Sequence, residues 1–162
     1  MISSPRPPRG TRRAGFTMIE MLIVFIVFGI SAKIALRSVG DTLRRNRVAK
    51  TAAVLSTDLE QGFSIAARLR VPVRVRIYHS ATRRQFIVRQ RDDTTFKYRV
   101  RELRSGDFGV DTLITSTDSL DIMPNGLATD TLNLTLGVDS RGSRYTKVIR
   151  VTRAGLVRVG NQ

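Results

Sequence analysis

Arg12-Arg13-Ala14-Gly15-Phe16-Thr17-Met18-Ile19-Glu20-Met21-Leu22-Ile23-Val24-Phe25-Ile26-Val27-Phe28-Gly29-Ile30 is the stretch around which the chain is organised. Arginines crowd its start, and a nearly unbroken apolar run follows, interrupted by one carboxylate at Glu20. The 21 residues from Phe16 to Leu36 make about 31 Å of helix, enough to cross the hydrocarbon core of a bilayer. Their only charges are Glu20 near one end and Lys33 near the other. A lysine near a helix end reaches the interface by extending its stem. An ionised carboxylate in hydrocarbon costs about 2.5–3.5 kcal/mol, so Glu20 implies a partner.

Three readings compete for this stretch. A cleaved secretory signal needs a small-residue site after its apolar core, but Ser31-Ala32 is a poor one and Glu20 interrupts the core. A plain membrane anchor accounts for the length and the flanking arginines, but not for Glu20 or the Gly15-Phe16 junction. The third reading rests on resemblance. Gly15-Phe16-Thr17-Met18-Ile19-Glu20-Met21-Leu22 resembles the type III prepilin signal Gly-Phe-Thr-Leu-Ile-Glu-Leu-Leu of type IV pilins and type II secretion pseudopilins, with Met18 and Met21 in place of leucines. The resemblance implies cleavage between Gly15 and Phe16 by a prepilin peptidase, N-methylation of Phe16 and retention of the apolar segment. It also implies an assembly role for Glu20, with other pseudopilins or pilins, the inner-membrane assembly platform and membrane lipid as partners.

The domains expected are a leader over 1–15, a transmembrane helix segment over 16–36, an amphipathic helix half over 37–70 and a periplasmic β-sheet domain over 71–162. Pro5, Pro7 and Pro8 exclude a stable helix from the leader. Basic residues ahead of the apolar run predict a cytoplasmic leader and a single-pass protein of the bacterial inner membrane, with its C-terminal body in the periplasm.

Beyond the apolar run, Val39, Leu43, Val48, Ala52, Leu55, Leu59, Phe63 and Ala66 recur at helical spacing. Arg44, Arg45, Arg47, Lys50, Asp58 and Glu60 between them read as the solvated side. Val71-Pro72 stops the helix. Phe16 to about Leu69 therefore reads as one helix of roughly 80 Å. Gly29, Gly40 and Gly62 are its weak points, at about 1 kcal/mol each relative to Ala.

From Val73 the period becomes two. Val73, Val75 and Ile77 alternate with Arg74, Arg76 and Tyr78; Phe86 and Val88 follow a turn near residues 80–84; Phe96, Tyr98 and Val100 alternate with Lys97, Arg99 and Arg101. Ser105 to Thr117 reads as a loop, and Leu120 to Met123 as a short strand closed by Pro124-Asn125-Gly126. Leu132, Leu134 and Leu136 form the next strand, Gly137 to Arg144 a turn, and Lys147 to Thr152 and Leu156 to Val159 the last hairpin around Ala154-Gly155. The fold class is α+β: a long N-terminal helix, transmembrane then amphipathic, packed on antiparallel β-sheet in a pilin-like layout.

The pieces Ile122-Met123-Pro124-Asn125-Gly126, Leu132-Asn133-Leu134, Val148-Ile149-Arg150-Val151 and Ala154-Gly155-Leu156-Val157-Arg158-Val159 resemble the C-terminal pattern shared by minor pseudopilin H of type II secretion and FimT-like minor pilins. Leu156 departs from it, standing where the pattern has its first arginine. The resemblance implies a minor pseudopilin that helps form a short periplasmic pseudopilus driving protein export. The alternative it implies is a FimT-like pilus minor pilin that serves pilus biogenesis or takes up DNA through C-terminal arginines, here Arg158 and Arg153.

Composition narrows the chemistry. With no cysteine there is no disulfide, and adhesive type IV pilins commonly carry one. His79 is the only histidine, so no usual zinc site can form. Neither a Gly-x-Ser-x-Gly elbow nor a phosphate-binding loop is present. Asp107, Asp111, Asp118 and Asp121 invite calcium, but without EF-hand spacing they read as turn-forming residues. The chain reads as a non-enzyme without cofactor or metal. Its net charge is +15; the four arginines of residues 1–15 account for four of these, leaving +11. That excess favours anionic partners. Arg74, Arg76, Lys97, Arg99 and Arg101 are expected to share strand faces opposite the apolar positions. They are either a solvated face or, with Arg74, Arg76 and Arg99 foremost, phosphate contacts that release counterions from DNA.

Overall fold

The computed structural model describes residues 15–104, 106, 108–140 and 143–161. Residues 1–14 of the expected leader, and Asp107, lie outside them. One helix, α1 (Met18–Leu69), is followed by eight strands: β1 (Val73–His79), β2 (Arg84–Gln90), β3 (Lys97–Glu102), β4 (Thr112–Thr115), β5 (Ser119–Ile122), β6 (Leu132–Ser140), β7 (Ser143–Val151) and β8 (Val157–Gly160). The α+β class expected from the two periodicities is what the chain adopts. By contact density it forms two units that divide inside α1, between Val39 and Gly40.

The first unit is the apolar half of α1. Its large hydrophobic side chains are exposed all round, Phe25 and Phe28 to 71% each. It is long and apolar enough to cross a membrane.

The second unit holds the core. The strands form two antiparallel sheets, ordered β3-β2-β1-β5 and β4-β6-β7-β8. The first turns Val73, Val75, Ile77, Phe86, Val88, Leu120 and Ile122 inward, as the pairings Val75↔Val88 and Val75↔Leu120 require. The second turns in Leu132, Leu134, Leu136, Ile149 and Val151, set by Leu134↔Ile149 and Leu132↔Val151. Val48, Ala52, Leu55, Leu59 and Ala66 of α1 complete one contiguous core with both faces. Gly62 lets the helix approach closely: a Cβ there would stand 3.2 Å from Ile122 Cδ1. The helix ends at Leu69, and Arg70 turns the chain with φ of 56° before Pro72.

Several expectations need correction. The burial stripe starts at Val48; Val39 and Leu43 are more than half exposed. Asp58, assigned to the solvated side, is buried, with only 2% exposure. Arg101 of β3 grips it in a bidentate pair, Nε to Oδ2 at 2.7 Å and Nη2 to Oδ1 at 3.0 Å. That hydrogen-bonded pair raises the already high pKa of the Arg101 guanidinium, against the opposing effect of burial. Residues 112–115, expected as loop, form β4 against β6. Gly137, expected in a turn, lies inside β6, where a Cβ would approach Thr112 Cβ to 3.3 Å. Arg99 and Arg101 lie on the core side of the sheet, paired with Val88 and Phe86, whereas Arg74 and Arg76 lie on the opposite face.

Candidate processing and assembly site

Gly15, Phe16 and Thr17 precede the first helical residue and are exposed, Phe16 to 77%. Thr17 is the N-cap of α1. Its backbone carbonyl accepts the Met21 N–H at 3.2 Å, and its Oγ1 accepts the Glu20 N–H at 3.3 Å. Glu20 is thus the third helical residue, and Thr17-Met18-Ile19-Glu20 has the spacing of a capping box. A carboxylate in the first turn also faces the positive end of the helix dipole. The cap sets where the helix begins, and so leaves the Gly15-Phe16 bond outside it. A Cβ built on Gly15 would meet nothing within 4 Å.

This junction, cap and carboxylate stand together at the head of an exposed apolar helix. The model of the prokaryotic N-terminal methylation motif matches residues 10–32. The matched segment carries a prepilin-type methylation motif, which indicates a type IV pilin-like N-terminus. Searches of curated proteins and of solved structures gave no match. In a type IV pilin-like protein the motif implies processing by a prepilin peptidase and assembly with other pilins. The exposed apolar helix is compatible with membrane anchoring.

The five arginines singled out for anion binding are placed at separate points. Arg74 is held by Asp121 through Nε–Oδ1 at 2.6 Å and Nη2–Oδ2 at 2.7 Å; this hydrogen-bonded pair raises its pKa despite partial burial. Arg76, on the same outer face, lies 5.2 Å from the Tyr78 ring centroid. Arg99, across the sheet, comes within 3.9 Å of Asp58. Arg153, between β7 and β8, is 3.6 Å from Asp130. Arg158 stands on the outer face of the second sheet, directly opposite Arg150. Both are exposed, and neither has an ion-pair partner among the described residues. Arg150 was missed as a candidate because only the β7–β8 register places it beside Arg158.

The aspartates are engaged separately. Asp111 accepts the Asp139 N–H at 3.1 Å, Asp118 lies 3.4 Å from His79 Nδ1, and Asp121 holds Arg74. Among the described residues no three His, Cys, Asp or Glu side chains gather as a metal site.

Proposed function

We propose that this chain is a minor pseudopilin of a type II secretion system. Cleavage between Gly15 and Phe16 and methylation of the new amine mature it, and it then joins a short periplasmic pseudopilus that drives protein export. Its part is structural. The observation that carries this reading is the exposed, capped Gly15-Phe16-Thr17 junction heading an apolar helix whose first turn holds Glu20. Cleavage creates a cationic amine on Phe16, about one helical turn from Glu20. In a low-dielectric membrane the carboxylate is costly alone and far less so beside an amine, its own or a neighbour's. A pair formed between subunits fixes their axial stagger.

Mass spectrometry of protein co-expressed with a prepilin peptidase is expected to show loss of 15 residues and an N-methyl-phenylalanine; an intact Met1 or a mature end at Lys33 refutes it. Glu20→Ala is expected to leave insertion and cleavage intact while reducing cross-linking to other pseudopilins and lowering secretion. Equal cross-linking and undiminished secretion would make the helix an idle anchor.

A second reading, a FimT-like minor pilin that contacts DNA, is favoured by the adjacent Arg150 and Arg158 guanidiniums. Like charges directly opposite on a sheet are mutually destabilising, and bound phosphate would relieve that repulsion. Loss of DNA uptake, with secretion intact, in an Arg150→Gln/Arg158→Gln variant selects this reading.

A further inference from the structure

The outer edge of the first sheet is β3, and no strand pairs with its far side among the described residues. The Leu103 N–H donates to the Arg84 carbonyl at 2.8 Å, which makes Arg84 and Leu103 a hydrogen-bonded pair. Alternation along the ladder then makes Phe86/Arg101 and Val88/Arg99 bonded pairs, and turns the N–H and C=O groups of Val100 and Glu102 to the open edge. Beside this edge runs one flank of α1: Val54, Asp58, Gln61, Ile65 and Arg68, at helical spacing. Two adjoining cavities of about 300 and 260 Å³ lie between flank and strand and share Gln61 and Arg99.

The charge of this groove is unbalanced. Among the described residues Asp58 is its only carboxylate, and Arg101 occupies both carboxylate oxygens. Arg99 Nε stays 3.9 Å away with half its side chain in solvent, and Arg68 stands at the far end. Edge strands that carry positive charge resist pairing with copies of themselves. In an antiparallel self-pairing centred on Arg99, Lys97 would face Arg101 and Arg99 would face itself, all like charges. The same charges attract a strand of opposite sign.

We propose that the β3 edge is a docking site for an extended acidic segment of a partner protein, which adds a strand at Val100 and Glu102 and places carboxylates over Arg99 and Arg68. Main-chain hydrogen bonds supply the pairing and the two arginines supply the selectivity. Alternation sends every second side chain of the incoming strand into the groove, so the matching pattern is acid at alternate positions with apolar residues between, packing beside exposed Val100. This surface goes beyond the processing junction and holds for either proposed function.

The probe is an eight-residue peptide alternating Val and Glu, titrated into the full chain in detergent micelles, with amide hydrogen exchange as the readout. The expected result is saturable slowing of exchange at Val100 and Glu102 that weakens with added salt. Arg99→Gln should lower apparent affinity roughly fivefold, the worth of an exposed guanidinium–carboxylate pair. Asp58 keeps its Arg101 partner in that variant, so an unchanged melting temperature is expected. Val100→Pro deletes an edge-facing N–H without removing a ladder bond and should abolish the slowing at Glu102, whose amide remains readable. A Val-Gln peptide that binds as well, an Arg99→Gln variant that binds equally, or peptide protection elsewhere overturns the proposal. So does protection at Val100 and Glu102 that rises with protein concentration in the absence of peptide, which would assign the edge to self-pairing.

Discussion

The two halves of α1 are the same secondary structure built for opposite solvents. From Met18 to Leu36 the large apolar side chains are exposed in every direction around the axis. From Val48 to Ala66 one apolar stripe faces two sheets, with Val48, Ala52, Leu55, Leu59 and Ala66 buried and Phe63 partly so. An all-round apolar helix is stable only in a membrane or among other such helices, whereas a striped one needs a single sheet-built face. Helix formation is therefore not what distinguishes anchor from body. The distribution of side chains around the axis decides which partner each half requires.

Removing the same group from each half is the sharpest way to break that comparison. Leu59→Ala is expected to destabilise the body by about 2–5 kcal/mol, because it opens a cavity at a site with no exposure. Ile26→Ala, from a position that is 54% exposed, should leave the melting temperature of the body unchanged. Thermal unfolding of both variants in the same micelles measures the contrast. Equal losses would mean that the first half is also packed by the chain itself.

Asp58→Ala tests what fixes the helix register on the first sheet. It removes the only acid paired with Arg101 and Arg99 among the described residues and leaves their charges beside the core. Breaking a buried pair costs about 3–5 kcal/mol, and a loss near the lower figure is expected because Arg101 keeps a third of its side chain in solvent. Denaturant unfolding reads the loss. An additional Arg101→Leu change should recover part of it by removing the stranded charge; no recovery would show that Asp58 acts through something other than the pair.

The helix, its stop at Val71-Pro72 and the alternating strands were legible because each rests on local periodicity. Asp58 was not, since a polar residue three positions from Leu55 and one from Leu59 sits at the margin of the stripe. Its side is decided by β3, whose Arg101 arrives from 43 residues away. Leu43 fits the same period as Leu55 but is exposed, because periodicity reports a face and not whether the sheets reach it. Residues 112–115 look like loop in the sequence because Gly109, Asp111, Ser116 and Thr117 flank a run too short to show alternation. The methylation motif over residues 10–32 was legible because its residues are contiguous, whereas the Arg150–Arg158 pairing depended on strand register.

Gly155 joins the pieces at the far end of the buried half. It has φ of 79°, and a Cβ there would stand 2.8 Å from the Gly126 carbonyl oxygen and 3.1 Å from Phe63 Cε1. The Ala128 N–H donates to the Arg153 carbonyl at 2.8 Å, holding the two turns together over α1. Gly155→Ala is expected to cost about 1–3 kcal/mol, the scale of overpacking. Phe63→Ala in the same chain removes the flexible neighbour but leaves the backbone oxygen in place, so it should restore little. Melting of the single and double variants decides whether the steric limit is the ring or the turn; full restoration would assign it to Phe63.

The smallest effect is expected at the head of the exposed half. Thr17→Ala removes the side-chain oxygen that accepts the Glu20 N–H, and loss of an N-cap costs about 0.5–2 kcal/mol of local helix stability. The body unfolds elsewhere, so its melting temperature should not move. What changes is the first turn: amide exchange at Ile19 and Glu20 should quicken, while residues beyond Phe25 keep their protection. Thr17→Ser retains the oxygen and should behave as wild type. If Thr17→Ala leaves exchange at Glu20 untouched, the helix does not depend on this cap for its start, and the capping-box spacing from Thr17 to Glu20 is incidental to where the Gly15-Phe16 bond lies.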